Sequence, residues 1–373
     1  MAFDSSRRSE TGSIRRAQIE VILAALAFAA SVPANRLLLT DVAPLALSEV
    51  LYISAGSLCA GLAWLSARTS RTVGRGTNTI RGAEWGWLLG AVVAGGVLAP
   101  LLLFLGFREV SGHVVGLLLN FEAVFTVGLG VLLSGEYLGR RAWSGALAIV
   151  AGAFLLSLPH AEASSSIPTR WTGIALVIGA CALWGLDNNL TQRVSLRDAR
   201  QIVAIKGLAG GITSLSLAAV FGGFGHWNAP RLLAALVVGA VSFGLSIALF
   251  VRGLRHLGVI QTGMLFALAP GFAAILSWVL LHEPIAAWGL LALGSMTSGA
   301  LLLATDRHEH LHEHEALEHA HEHTHDDHHQ HEHSPAELAR VPHAHSHRHE
   351  RMVHRHPHVH DIHHRHRHSE KRA

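Results

Sequence analysis

The chain has 373 residues, half of them hydrophobic and only 15% charged, with 37 glycines and a mean hydropathy of +0.36. That composition excludes an ordinary soluble domain. Lys+Arg of 29 against Asp+Glu of 26 gives a net charge of +3 with histidine neutral, and most basic residues sit in short loops between apolar runs, so they act as topology signals and no nucleic-acid partner is expected. The two cysteines, Cys59 and Cys181, each fall inside an apolar run, which argues against a disulfide framework or a thiolate metal site.

In chain order, residues 1–16 form a cytoplasmic N-terminal segment, and ten apolar spans follow at about 17–39, 43–66, 84–107, 111–133, 140–158, 172–192, 200–221, 231–251, 258–281 and 285–304. At 1.5 Å per residue, about 20 residues cross the roughly 30 Å hydrocarbon layer as a helix. Arg15 and Arg16 before the apolar run from Val21 to Ala30 resemble a secretory signal, but the apolar character continues through Pro33 to Leu39, so a retained first helix is expected. Arg7, Arg8, Arg15 and Arg16 precede the first span, Arg68, Arg71, Arg75 and Arg81 follow the second, and Arg140, Arg141, Arg193, Arg197, Arg200, Arg252 and Arg255 fall on the same side. The other side receives Arg36, Arg108, Arg170 and Arg231. The positive-inside rule then places both termini in the cytoplasm of an integral inner-membrane protein.

The polar stretch 159–170 separates two five-span halves, 17–158 and 171–304. Residues 106–136 return without a gap as residues 253–283, a spacing of 147 that keeps Gly106/Gly253, Arg108/Arg255, Gly116/Gly263, Phe125/Phe272 and Glu136/Glu283. Because five is odd, the second half is expected upside down relative to the first. The fold class is therefore all-α integral membrane, ten transmembrane helices as two inverted five-helix repeats with a substrate site near the midplane between them, plus a disordered C-terminal tail.

The last two spans of each half, NFEAVFTVGLGVLLSGE followed by GALAIVAGAFLL, and ALAPGFAAILSWVLLHE followed by GLLALGSMTSGALLL, resemble the EamA-type domain of the drug/metabolite transporter superfamily. That pattern has a mid-helix Pro, a Glu at the helix end and a Gly in the next helix. Pro270, Glu283 and Gly299 match it in the second half, and Glu136 and Gly152 in the first, where Ala123 replaces the Pro. ALWGLDNNLTQRV, with its Trp-Gly, matches the opening of the family's repeat. The resemblance covers about residues 17–304 and implies a secondary transporter, often a metabolite exporter, without enzymatic activity or a required cofactor. No phosphate-binding Gly-Lys-Ser/Thr loop is present, which agrees.

Several polar residues lie within the spans. Glu122, about eleven residues into its span, falls near the bilayer centre, where an ionised carboxylate is costly unless compensated. Its repeat equivalent is Ala269, and that of Asn120 is Ala267, so the polarity belongs to one half. Glu122 is either a proton- or cation-coupling site or a hydrogen-bonded helix glue. Asp187, Asn188 and Asn189 match the depth of Lys206 on the next span, so Asp187 and Lys206 can neutralise one another. Asn35 and Arg36 with Glu49 form a mirror arrangement toward the outer face, and the two sets are either gates or snorkelling interface pairs. Glu136 and Glu283 are expected to be structural. His113, His226, His256 and His282 are expected at interfaces, as is an aromatic belt of Trp64, Trp85, Trp87, Trp143, Trp171, Trp227 and Trp288.

The tail, residues 305–373, holds 24 of the 29 histidines: His308, His310, His312, His314, His319, His321, His323, His325, His328, His329, His331 and His333 in one copy, and His343, His345, His347, His349, His354, His356, His358, His360, His363, His364, His366 and His368 in a second. The copies align at a spacing of 35, His on His, with Glu and Asp between the histidines of the first and Arg between many of those of the second. Such low complexity predicts disorder without metal, and closely spaced imidazoles suit Zn, Ni, Co or Cu(II). Opposite linker charges predict that the copies pair and hold metal jointly. The expected partners are thus the lipid bilayer, a small-molecule solute and divalent metal ions, with room for a homodimer. Three functions fit: a small-solute transporter with a metal-buffering or sensing tail, a divalent cation transporter fed by the tail, or a membrane-anchored metal store.

Overall fold

The computed structural model describes residues 2–39, 42–69, 80–110, 115, 118–134, 139–156, 170–221, 227–282 and 287–305, and in the tail 308–314, 317–323, 343–349 and 352–358. Glu136, Glu283, His113, His226 and the tail histidines between and beyond the four tail stretches lie outside the described residues.

The first half comprises α1 (Ala2–Ala29), α2 (Ser31–Leu38), α3 (Pro44–Thr69), α4 (Glu84–Ala91), a π-helical segment (Val92–Leu98), α5 (Ala99–Phe107), α6 (Phe121–Ser134) and α7 (Arg140–Leu156). The second comprises α8 (Trp171–Val194), α9 (Ala199–Phe221), α10 (Ala229–Val238), a π-helical segment (Gly239–Leu245), α11 (Ser246–Phe266), α12 (Ala269–Leu281) and α13 (Ala287–Thr305). Helix α1 starts well before the predicted span, since the helical backbone runs on into the Arg-bearing N-terminal stretch; the apolar crossing begins near Ile14. Among the described residues six segments are long and apolar enough to cross a membrane, and one of them, Ala229–Phe266, holds in 38 residues the predicted span 231–251 and the start of the next, 258–281, which continues through α12. They part at Gly258, whose φ of 73° is open to glycine and strained for other residues, and the chain turns there.

Local chemistry explains two further breaks. Pro33 has no N–H to continue the helix, so the chain steps between α1 and α2, and the Ser31 hydroxyl donates to the Phe28 carbonyl at 2.6 Å. Pro270 sits in the first turn of α12, where its missing N–H costs nothing. Helix α6 restarts at the equivalent place without a proline, Ala123 standing there, so the break belongs to the repeat and not to Pro270.

The halves are related by a two-fold axis, visible as reciprocal contacts. Helix α3 packs on α9 and α7 on α13; α1 packs on α11 and α12 as α8 packs on α5 and α6. A Cβ on Gly152 would lie 2.7 Å from the Ala292 carbonyl, and a Cβ on Gly299, the repeat equivalent of Gly152, would lie 2.5 Å from the carbonyl of Gly145, the equivalent of Ala292. Ser295 donates to the carbonyl of its own equivalent, Ala148, at 2.8 Å. Small residues thus let α7 and α13 meet backbone to backbone, the usual way helices associate where no hydrophobic effect drives them. Gly299→Val should destabilise the protein by about 1–3 kcal/mol through overpacking, read as a lower unfolding temperature in detergent. Gly294→Ala, whose added Cβ meets nothing within 4 Å, should leave that temperature unchanged.

Trp64, Trp85, Trp87, Trp143, Trp171 and Trp288 are exposed on the bundle, as a lipid-facing aromatic belt requires. Cys59 and Cys181 are buried and unbridged, their thiols directed at the Gly244 and Leu118 carbonyls.

In the tail, four seven-residue stretches are paired: β1 (His308–His314) with β4 (Met352–His358), and β2 (Leu317–His323) with β3 (His343–His349), both antiparallel.

Candidate functional site: a central cavity between the halves

A cavity of about 980 Å³ lies between the two halves. Its polar wall comes from α6, α8 and α9, and an aromatic wall from α1, α11 and the second π segment. On the aromatic side, Phe28 meets Phe243 and Phe266 with ring centroids 5.4 and 5.3 Å apart, and Phe250 meets Phe266 at 4.9 Å. Tyr52 from α3 packs edge-on to Phe243 at 5.8 Å, joining the two walls.

On the polar side, the depth match between Asp187 and Lys206 is realised as an ion pair: Lys206 Nζ lies 2.6 and 2.9 Å from the two Asp187 carboxylate oxygens. Thr191, one turn along α8, donates to Asp187 Oδ1 at 3.0 Å, and its oxygen accepts from Lys206 at 3.0 Å. These four hydrogen bonds to the charged groups supply part of what desolvation removes. Gly95 in the first π segment permits this, since a Cβ there would overlap the Asp187 carboxylate. Glu122, in the first turn of α6, accepts from Asn188 Nδ2 at 3.3 Å, and the same amide donates to Thr126 Oγ1 at 3.1 Å.

Of the nine residues singled out within the spans, Glu122, Asn120, Asp187, Asn188, Lys206 and Arg36 line this one cavity. Asn120 also donates to the Ala153 carbonyl at 3.4 Å. Asn189, Asn35 and Glu49 are not among its lining residues. Asn189 is buried and donates to the Thr126 and Gly185 carbonyls at 3.1 and 2.8 Å, clamping α8 to α6. Asn35 Oδ1 and Glu49 Oε2 are buried without a hydrogen-bond partner among the described residues.

Sequence reasoning missed Tyr52, Trp184, Thr126, Thr191 and the two π-helical segments. The segments occupy equivalent positions 147 residues apart, and each lines the cavity, through Gly95 and Gly96 in one and Phe243 in the other. A π segment frees a carbonyl from the helical ladder, and Trp184 Nε1 donates to that of Gly95 at 3.1 Å. The glycine pair at 95–96 was the available signal.

The cavity runs toward the end of the bundle that carries Arg36, Ser277 and Trp288. At the opposite end a polar network joins the elements: Arg197 holds Glu84 in a two-pronged ion pair with a shortest distance of 2.7 Å, Arg255 donates to the Ser195 and Arg197 carbonyls at 2.8 and 2.7 Å, and Arg252 pairs with Glu20 at 2.9 Å.

An inverted-repeat helical bundle with a polar-lined midplane cavity defines a membrane transporter of small solutes. The chain belongs to the EamA-like transporter family, which it matches twice, over residues 16–158 and 171–305. It is 28% identical to an uncharacterised transporter of Methanothermobacter thermautotrophicus over 273 residues, 71% of this chain and 79% of that protein. It is 29% identical to the uncharacterised transporter YdeK of Bacillus subtilis over 285 residues, 74% of this chain and 91% of YdeK. The threonine/homoserine exporter RhtA of Escherichia coli K12 is 26% identical over 196 residues, 49% of this chain and 65% of RhtA. A solved structure described as "Crystal structure of protein" shares the fold with a TM-score of 0.67 at 18% identity, covering 77% of this chain and 96% of that one.

Proposed function

We propose that this transporter is a secondary exporter of a small zwitterionic solute of the amino-acid class, with Glu122 as the coupling group and a cytoplasmic tail that binds divalent metal. The observation that carries the reading is the make-up of one chamber: a carboxylate at Glu122, the Asp187–Lys206 pair, Arg36 toward one end, and a phenylalanine wall opposite. An ammonium group is complementary to Glu122, a carboxylate to Lys206 or Arg36, and a short apolar or hydroxylated side chain to the aromatic wall. A mixed-charge chamber of this kind favours a zwitterion over a bare divalent cation as cargo. The name of RhtA supports the same solute class. The Glu84–Arg197 and Arg255 contacts close the end opposite the cavity and form one gate of an alternating-access cycle. In proteoliposomes loaded with labelled amino acids, efflux of threonine or homoserine is expected; retention of every amino acid tested would exclude the solute class.

The orientation follows from the arginine asymmetry. A reporter fused after Ala373 is expected on the cytoplasmic side and one inserted at Ser165 on the outside; a tail found outside would overturn both the topology and the cytosolic metal role. Deleting residues 306–373 is expected to leave solute efflux intact and to lower metal retention. Efflux that disappears with the tail would instead make the tail part of the transport cycle.

A further inference from the structure

Two spacings relate the halves. From the third span of each half onward equivalent residues are 147 apart, as the reciprocal contacts of Gly152 and Gly299 require. In the first span of each half the spacing is 156. A Cβ on Gly106 would overlap Val177, and one on its equivalent Gly253 would overlap Val21, so Val21 corresponds to Val177. Gly185 packs on Phe125 just as Ala29 clusters with Phe272, the equivalent of Phe125. The same spacing sets Leu38, the last residue of α2, on Val194, the last of α8. On these equivalences the two ends of the bundle differ. Arg36, Ala274 and Ser277 line the open end of the cavity, whereas their counterparts at the other end, Gln192, Val127 and Gly130, are buried. The bundle is thus held in one of two arrangements that exchanging the conformations of its halves would interconvert.

At the closed end Arg255 ties α11 to the end of α8. Its Nε donates to the carbonyl of Ser195, the residue that caps α8, at 2.8 Å, and a terminal nitrogen donates to the Arg197 carbonyl at 2.7 Å. The last carbonyls of a helix have no partner within it and carry its negative dipole end, so a guanidinium suits them in both hydrogen bonding and charge. Arg108 is the equivalent of Arg255. It caps α5 and is exposed at the open end. The equivalent of Ser195 is Leu39, which caps α2 and is likewise exposed. Ser195 and Leu39 have unlike side chains, but a contact made to a backbone carbonyl does not depend on them; only the arginine must recur, and it does. We infer that Arg108 is the latch of the open end: in the alternate arrangement it donates to the Leu39 carbonyl at the end of α2, as Arg255 here donates to that of Ser195, while Arg255 lets go. The inference rests on the alternating-access reading and goes beyond it in assigning the second gate to a residue.

The test follows the reaction of single cysteines with a small maleimide in the full chain, held in lipid nanodiscs so that both ends are reachable. Cys59→Ala and Cys181→Ala clear the background; Ala274→Cys then reports the end now open and Val127→Cys its closed equivalent. Arg255→Ala should speed labelling at the second reporter by about tenfold or more and slow it at the first, since a hydrogen bond to a charged group is worth about that factor in an equilibrium. Adding Arg108→Ala to the Arg255→Ala variant should return both rates toward their starting values, because each arrangement has then lost its latch. Arg108→Lys, which keeps one donor, should return them less. Arg170→Ala, at another exposed arginine of the same end, should not return them at all. If Arg255→Ala shifts the reporters and Arg108→Ala fails to reverse the shift, or Arg170→Ala reverses it equally, the latch is wrong and the alternation stands. Rates that no variant changes would overturn both. An unchanged gel-filtration profile guards each variant against misfolding.

Discussion

Glu122→Gln should reduce solute efflux to background and abolish its pH dependence while folded protein remains in the membrane. The glutamine is nearly isosteric and keeps an oxygen that can accept from Asn188, so the contact between α6 and α8 survives and the ionisable group alone is lost. The fold itself does not demand a carboxylate here, because the equivalent place in the second half is Ala269, which also lines the cavity. An ionisable residue inside a span is retained where it moves charge, and a carboxylate that alternately binds a proton and the ammonium of the solute would couple the two fluxes. Glu122→Asp, which preserves the ionisable group, should keep measurable coupled transport. Efflux assayed in proteoliposomes under an imposed pH gradient decides the matter: unchanged flux and pH profile in the Gln variant would reduce Glu122 to a hydrogen bond between helices.

Breaking the Asp187–Lys206 pair from one side should produce the largest loss of stability in the protein. Asp187→Asn leaves the half-buried Lys206 ammonium with Thr191 but without the carboxylate bonded to it; Lys206→Met leaves the buried Asp187 carboxylate beside Gly95 without its cation. Removing one partner of a buried pair costs about 3–5 kcal/mol, most of it the desolvation of the charge left behind. The double variant Asp187→Asn/Lys206→Met removes both charges, so it should recover most of the stability lost in either single variant. It should still fail to transport, because Lys206 faces the cavity. Unfolding temperatures of the four proteins in one detergent, with efflux measured alongside, give the cycle. Additive destabilisation in the double variant would show that the two side chains act independently.

Much of this architecture is legible in the sequence, and the reason is the bilayer. A membrane reduces burial to one dimension, depth, so hydropathy, loop charge and the 147-residue repeat marked the spans, and matching depths on consecutive helices paired Asp187 with Lys206. Neighbouring residues were harder to separate. Asp187, Asn188 and Asn189 are consecutive and equally polar, yet the first pairs with Lys206, the second reaches Glu122, and the third is spent on backbone carbonyls of α6 and α8. Successive residues turn by about 100° around a helix, and which of the three faces the chamber depends on the helix's rotation against its neighbours.

What the sequence determined by itself was therefore the membrane class, the helix count, the inversion, and the segregation of histidine into a duplicated tail, all properties of composition and order along the chain. The tertiary structure alone decided the chamber's aromatic wall, the two equivalent π-helical segments, the Glu84–Arg197 ion pair and the antiparallel register of the tail. Each of these joins residues far apart in sequence, or depends on a backbone irregularity that side-chain periodicity does not encode. Phe28 meets Phe243, and Glu84 meets Arg197, only because the two inverted halves interlock, packing α1 against the second half and α8 against the first.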